Sequence, residues 1–100
     1  MNRNMIKQQQ QMMARLAKIQ EELEVATVEA LAGGGAVRVV CNGQQRIEEI
    51  VIDPKVVDPG DIEMLQDVVL IGVNDALEKA KAMANEKLAA ITGGLKIPGM

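Results

Sequence analysis

Residues 33–54, GGGAVRVVCNGQQRIEEIVIDP, constrain the fold more than any other stretch of the chain. Two runs rich in Val and Ile flank Asn42 and Gly43, and an Asn-Gly pair suits the positive φ of a type I′ turn. The stretch therefore reads as two short strands folded back on each other. An isolated hairpin is marginal in water, so the helical patterns on either side of it are expected to supply a packing surface.

The hairpin does not phase cleanly with a two-residue loop. Val37, Val39 and Cys41 then share a face with Arg46, Glu48, Ile50 and Ile52, while Ile47 falls out of step. An extra residue near Glu48 and Glu49, as in a β-bulge, would bring Ile47 and Ile50 to one side. A longer loop would do the same. The sequence leaves both repairs open.

Before the hairpin, apolar residues recur at Met5, Met12, Leu16, Ile19 and Leu23, a heptad-like seam with Gln9 at its one polar position. A helix over residues 3–24 is expected, roughly 33 Å long. Its Met1, Met5, Met12 and Met13 read as core or dimer seam rather than as an adaptable binding surface. Residues 24–31, EVATVEAL, are open between helix tail and strand, and Gly33, Gly34 and Gly35 then turn the chain. That glycine run lacks the Gly-Lys-Ser/Thr of a phosphate loop.

After the hairpin, Asp53 and Pro54 end the strand. Asp58 as N-cap, Pro59 at N1 and Asp61 at N3 form a helix-start signature. The helix is expected over 59–92, about 50 Å long, with Gly93 and Gly94 stopping it and a mobile tail over 93–100. Residues 68–73 are apolar on nearly every side, which predicts burial against the sheet and something else, with Gly72 permitting close backbone approach. The second half of so long a helix projects beyond a small body unless a partner packs on it.

Among 100 residues there is no Phe, Tyr, Trp, His or Ser, and a single Cys, Cys41. The core must be built from Val, Ile, Leu, Met and Ala, which is thin for a monomer of this size and points to an obligate oligomer. Nucleophilic triads and His/Cys zinc sites are excluded within one chain. Glu48 and Glu49 point to opposite faces of a strand, a poor acid/base pair. The chain is thus expected not to be an enzyme, and to need no cofactor, metal or small-molecule substrate. Cys41 reads as a small buried hydrophobe in a reducing compartment. The N-terminus lacks a signal-peptide core and residues 68–73 are too few to span a bilayer, so a cytoplasmic protein with no membrane partner is expected.

Net charge is −3, but it is segregated. Arg3, Lys7, Arg15 and Lys18 have no acid among residues 1–20, whereas residues 21–31 hold four Glu and no base. Residues 53–78 carry seven acids against Lys55, and Lys79, Lys81, Lys87 and Lys96 make the C-terminal end basic again. Spacing alone favours a solvated face over a phosphate-contacting one for the first helix.

Taken in order, the Gln/Met-rich helix over 7–24, residues Val39–Gly43, Val51-Ile52-Asp53-Pro54, Glu63-Met64-Leu65-Gln66-Asp67, Asn74-Asp75-Ala76 and the Gly93-Gly94 tail resemble the YbaB/EbfC family of bacterial nucleoid-associated proteins. The resemblance implies a single α+β domain over residues 1–100: an N-terminal helical arm, a three-stranded antiparallel sheet over 25–53, and a long C-terminal helix. It also implies a tweezer-like homodimer that binds duplex DNA with slight sequence preference, located on the nucleoid and organising it or regulating genes. On this reading Arg3, Lys7, Arg15 and Lys18 contact DNA, with Lys79, Lys81 and Lys87 second. The acidic middle would repel phosphates and leave the basic arms as the contact surface. With no aromatic side chain, single-strand stacking platforms are disfavoured.

Two other classes fit parts of the pattern. A prefoldin-like chaperone subunit would grip clients with helix tips, and a docking module would bring the same basic arms to an acidic protein. Salt sensitivity separates the first from DNA binding, and a DNA titration separates the second.

Overall fold

The computed structural model describes residues 3–91. The chain runs through α1 (Arg3–Val25), β1 (Thr27–Ala32), β2 (Val37–Asn42), β3 (Ile47–Ile52), a 3-10 turn at Pro54–Val56, and α2 (Ile62–Ile91). The three strands form one antiparallel sheet in the order β1-β2-β3, so the molecule is α+β. The tail expected over 93–100, with its Gly93 and Gly94, lies outside the described residues.

Residues 24–31 divide between the two alternatives: the helix persists to Val25 and a strand begins at Thr27. The β1–β2 connection then needs three successive left-handed residues, Gly33, Gly34 and Gly35, at φ 61, 69 and 92°. Side chains with a Cβ resist that conformation, which accounts for the glycine run.

The hairpin departs from the expected two-residue turn. Asn42 stays in β2, where its N–H donates to the Arg46 carbonyl at 2.9 Å, and Gln45, not Gly43, takes the left-handed conformation at φ 60°. This is a three-residue loop closed by a left-handed residue, a common alternative to the type I′ turn. A bulge follows. Cys41 pairs with Ile47 but Val40 pairs with Glu49, leaving Glu48 as the extra residue. Both repairs to the phase problem are therefore used together. Their effect is to set Ile47, Ile50 and Ile52 opposite Cys41, Val39 and Val37 on one face of the sheet.

That face carries the core. α2 lies over β1 and β2 and scarcely over β3. Ala30, Val37, Val39, Cys41, Ala76 and Ala80 are fully buried between them. Gly72 sits where the helix comes closest: a Cβ there would lie 3.1 Å from Val39 Cγ2 and 3.5 Å from Ala32 Cβ. The expected close approach at Gly72 is thus present. Burial on every side of residues 68–73 is not. Within the protomer Leu70 and Ile71 are 59% and 62% exposed.

The start of α2 also differs from expectation. Asp58 Oδ1 accepts from Gly60 N at 2.9 Å, and the Asp58 carbonyl accepts from Asp61 N at 2.9 Å, making a turn before the helix. Asp61 is the N-cap, its Oδ1 accepting from Met64 N at 3.2 Å. Gly60, two residues after the expected cap, is a poor occupant of a first helical turn. The helix therefore starts beyond it.

The distal half of α2 is accompanied by α1, and Lys87 reaches Glu22 at 3.7 Å. The described chain is accordingly long and narrow, 70 × 25 × 17 Å.

Candidate nucleic-acid interface

The arm is rooted in the hairpin. Gly43 N donates to the Leu23 carbonyl at 2.8 Å and to the Ala26 carbonyl at 3.0 Å, satisfying acceptors at the end of α1. Asn42 completes the joint. Its side-chain nitrogen donates to the Glu24 carbonyl at 3.2 Å, while its Oδ1 accepts from Gln44 N and Arg46 N at 2.9 and 3.0 Å. Leu23 is buried and Ile19 half-buried there, but Met5, Met12 and Leu16 of the seam are 60, 40 and 38% exposed, and the neighbouring Met13 is 70% exposed. Of the two expectations for that stripe, core does not hold within the protomer.

Opposite the seam lie Arg3, Lys7, Arg15 and Lys18, all exposed. At 100° per residue they fall within an arc of about 120°, and Lys7 and Lys18 are only about 20° apart. From Arg3 to Lys18 the row spans about 22 Å, some two-thirds of a turn of duplex DNA. Among the described residues no carboxylate pairs with any of the four. The structure brings these four together on one helix face.

The three α2 lysines are not brought together. Lys79 Nζ donates to the Glu29 carbonyl at 3.1 Å and lies 3.7 Å from Asp75, so it is bound to β1 and to its own helix. Lys87 pairs with Glu22. Lys81 is exposed and turned about 160° around α2 from Lys79.

One basic residue in the sheet escaped the sequence reading. Arg38 Nε donates to Glu29 on β1 and Nη1 donates to Glu49 on β3 at 2.7 Å. Its guanidinium pKa is held above the ordinary value by the hydrogen bond to Glu29 first and that to Glu49 second. The only signal in the sequence was opposite charge on neighbouring strands, and pairing them needed the register. Burial raises the Cys41 thiol pKa, with Glu48 adding to the effect. Among the described residues no group of three or more His, Cys, Asp or Glu could hold a metal, and no helix is long and apolar enough to cross a membrane.

On the core side of the sheet, where α2 stops short of β3, there is an open apolar cleft of about 420 Å³. Ile52, Leu65, Gln66, Val69, Leu70 and Val73 line it. Ile50, on the same face of β3, is 43% exposed.

Helix α1, whose four bases all precede its acids Glu21, Glu22 and Glu24, is rooted by its C-terminal end in the rest of the α+β molecule. The chain belongs to the YbaB/EbfC DNA-binding family, whose model matches residues 1–95; this is a family of DNA-binding proteins and not of enzymes. Among its relatives is a nucleoid-associated protein of Acetivibrio thermocellus, 54% identical over 98 residues, covering 97% of this chain and 87% of the relative. Another, from Chloroflexus aurantiacus, is 48% identical over 94 residues and covers 94% of each chain. In fold, the chain is similar to the crystal structure of an uncharacterized protein from Helicobacter pylori, with a TM-score of 0.75 and 21% identity, covering 93% of this chain and 97% of that one.

Proposed function

We propose that two copies of this chain associate through the cleft between α2 and β3, and that the α1 arms of the dimer hold duplex DNA by its phosphates with little regard for sequence. The DNA-binding half rests on one observation above all: four exposed bases, with no carboxylate partner among the described residues, share one face of α1 with no acid before Glu21. Arg3, Lys7, Arg15 and Lys18 are the primary contacts. Lys79, Lys81 and Lys87 are secondary, since Lys79 and Lys87 must first leave Asp75 and Glu22. Lys and Arg at these places would neutralise phosphates and release counterions, which requires no cofactor and reads no base. The dimer half rests on exposed Ile50 and Leu70 and on the apolar cleft that Leu70 and Ile52 line, in a protomer without an aromatic side chain. The names of the relatives, nucleoid-associated proteins, support a place on the nucleoid, and there the chain would organise DNA or regulate genes.

Fluorescence anisotropy of a labelled duplex of roughly 30 bp, titrated at several salt concentrations against an unlabelled duplex of unrelated sequence, tests the reading. Affinity should fall several-fold as salt doubles, and the competitor should be nearly as effective as the labelled sequence. Changing Arg3, Lys7, Arg15 and Lys18 together to Gln should abolish binding. No binding by the wild type at the lowest salt would overturn the DNA reading, and salt-resistant binding of unfolded polypeptides would favour the chaperone class instead.

A further inference from the structure

The sheet has a second face, turned away from α2, and its charges are arranged in a definite way. Leu31, Arg38 and Val51 form one cross-strand row, and Glu29, Val40 and Glu49 form the next. Arg38 reaches diagonally into that second row and divides its guanidinium between the two carboxylates, one from each neighbouring strand. Diagonal neighbours in a sheet are within reach of a long side chain. All three side chains are roughly half exposed, at 41% for Arg38, 47% for Glu29 and 55% for Glu49.

Ion pairs this exposed contribute little to stability, because water screens them and side-chain order opposes them. Their effect on a ligand is larger. A half-exposed Arg on an open strand surface is an ordinary phosphate-binding group, since its planar fork matches phosphate oxygens. Here the fork is already taken by carboxylates and the cluster carries one net negative charge. An arriving phosphate would have to displace both acids and then remain beside them. The cleft proposed for the second copy is on the opposite side of the sheet, so a dimer formed there leaves this face open.

We propose that Glu29 and Glu49 hold Arg38 away from phosphate and so exclude duplex DNA from the outer sheet face, confining it to the α1 arms. The inference rests on the arm-binding reading above and adds where DNA is prevented from going. Specificity of this kind is a difference between surfaces, and it is gained as much by repulsion at one as by attraction at another.

The test is the double variant Glu29→Gln with Glu49→Gln, which keeps side-chain shape and one acceptor oxygen on each residue but changes the cluster from −1 to +1. In the same anisotropy titration its affinity should rise several-fold over wild type. The slope of log K against log salt should steepen by about 0.9 for each phosphate newly engaged. Adding Arg38→Gln should erase the gain. Glu63→Gln with Glu78→Gln, which removes the same charge from α2, should give a smaller one. An unchanged affinity, a gain that survives Arg38→Gln, or a gain matched by the α2 variant would each overturn the inference while leaving the arms as the binding site. If wild-type protein binds no duplex, the arm reading falls and this inference falls with it.

Discussion

Gly43 is where a single atom would do most damage. A Cβ at that position would stand 2.6 Å from Leu23 Cδ2 and 2.9 Å from the Leu23 carbonyl oxygen, and helix backbone cannot retreat as a side-chain end can. Gly43→Ala should cost about 1–3 kcal/mol, read as a fall in the thermal midpoint on the order of 5–20 °C. The sequence marked Asn42 and Gly43 as a turn, but for a different reason. It suggested positive φ at the glycine, whereas the glycine is needed to let α1 approach, and Gln45 takes the left-handed conformation instead. A contact between residues 23 and 43 leaves no trace in local pattern. Cys41 was legible, being in step with Val37 and Val39, and all three are fully buried. Because burial raises its pKa above the ordinary thiol value, the fold holds a neutral thiol. That contribution to stability is full below the unfolded pKa and is lost as pH rises through the folded one. Native protein at neutral pH should therefore resist alkylation by iodoacetamide, and denaturant should release the reaction; rapid labelling of the native state would contradict the buried placement.

At the scale of elements, the two aspartates before α2 make separable predictions. Asp61→Ala removes the N-cap and should cost about 1 kcal/mol, while Asp58→Ala loosens only the preceding turn and should cost less. Denaturant midpoints of the two variants decide the order, and the reverse order would restore Asp58 as the cap. The Asp-Pro-Gly-Asp run announced a helix start correctly and its boundary incorrectly, because Asp58 and Asp61 are equally good caps by residue type. What chose between them was Gly60, which the chain uses in a turn. β1 was hidden for a related reason. Alternating Val and Ala with Glu at residues 24–31 suits either a helix tail or a strand, and only pairing with β2 settles it. The bulge at Glu48 could be posed from phase alone, yet bulge and longer loop were indistinguishable until both were seen.

For the molecule as a whole, the largest fully buried side chains are Val37, Val39 and Cys41, which is a small core for a body of this length. Stability of the proposed dimer should then depend on protein concentration, with the thermal midpoint rising as the chain is concentrated. Leu70→Asp or Ile50→Asp should give a monomer by light scattering and lower that midpoint. A dimer unchanged by both would place the second copy elsewhere. Segregation of charge along the chain was fully legible, since it depends only on order. Which bases remain available was not: Lys79 and Lys87 are engaged locally, through contacts across 50 and 65 positions of sequence. The joint between Gly43 and the end of α1 has one more effect, and it is mechanical. With its root clamped at Leu23 and Arg3 some 30 Å away, the arm acts as a lever whose pivot is the hairpin tip. Each degree of tilt at the pivot carries Arg3 through about 0.5 Å. On the proposed arm binding, the gauge of DNA the protein accepts would be set not on the arm but at the turn that anchors it.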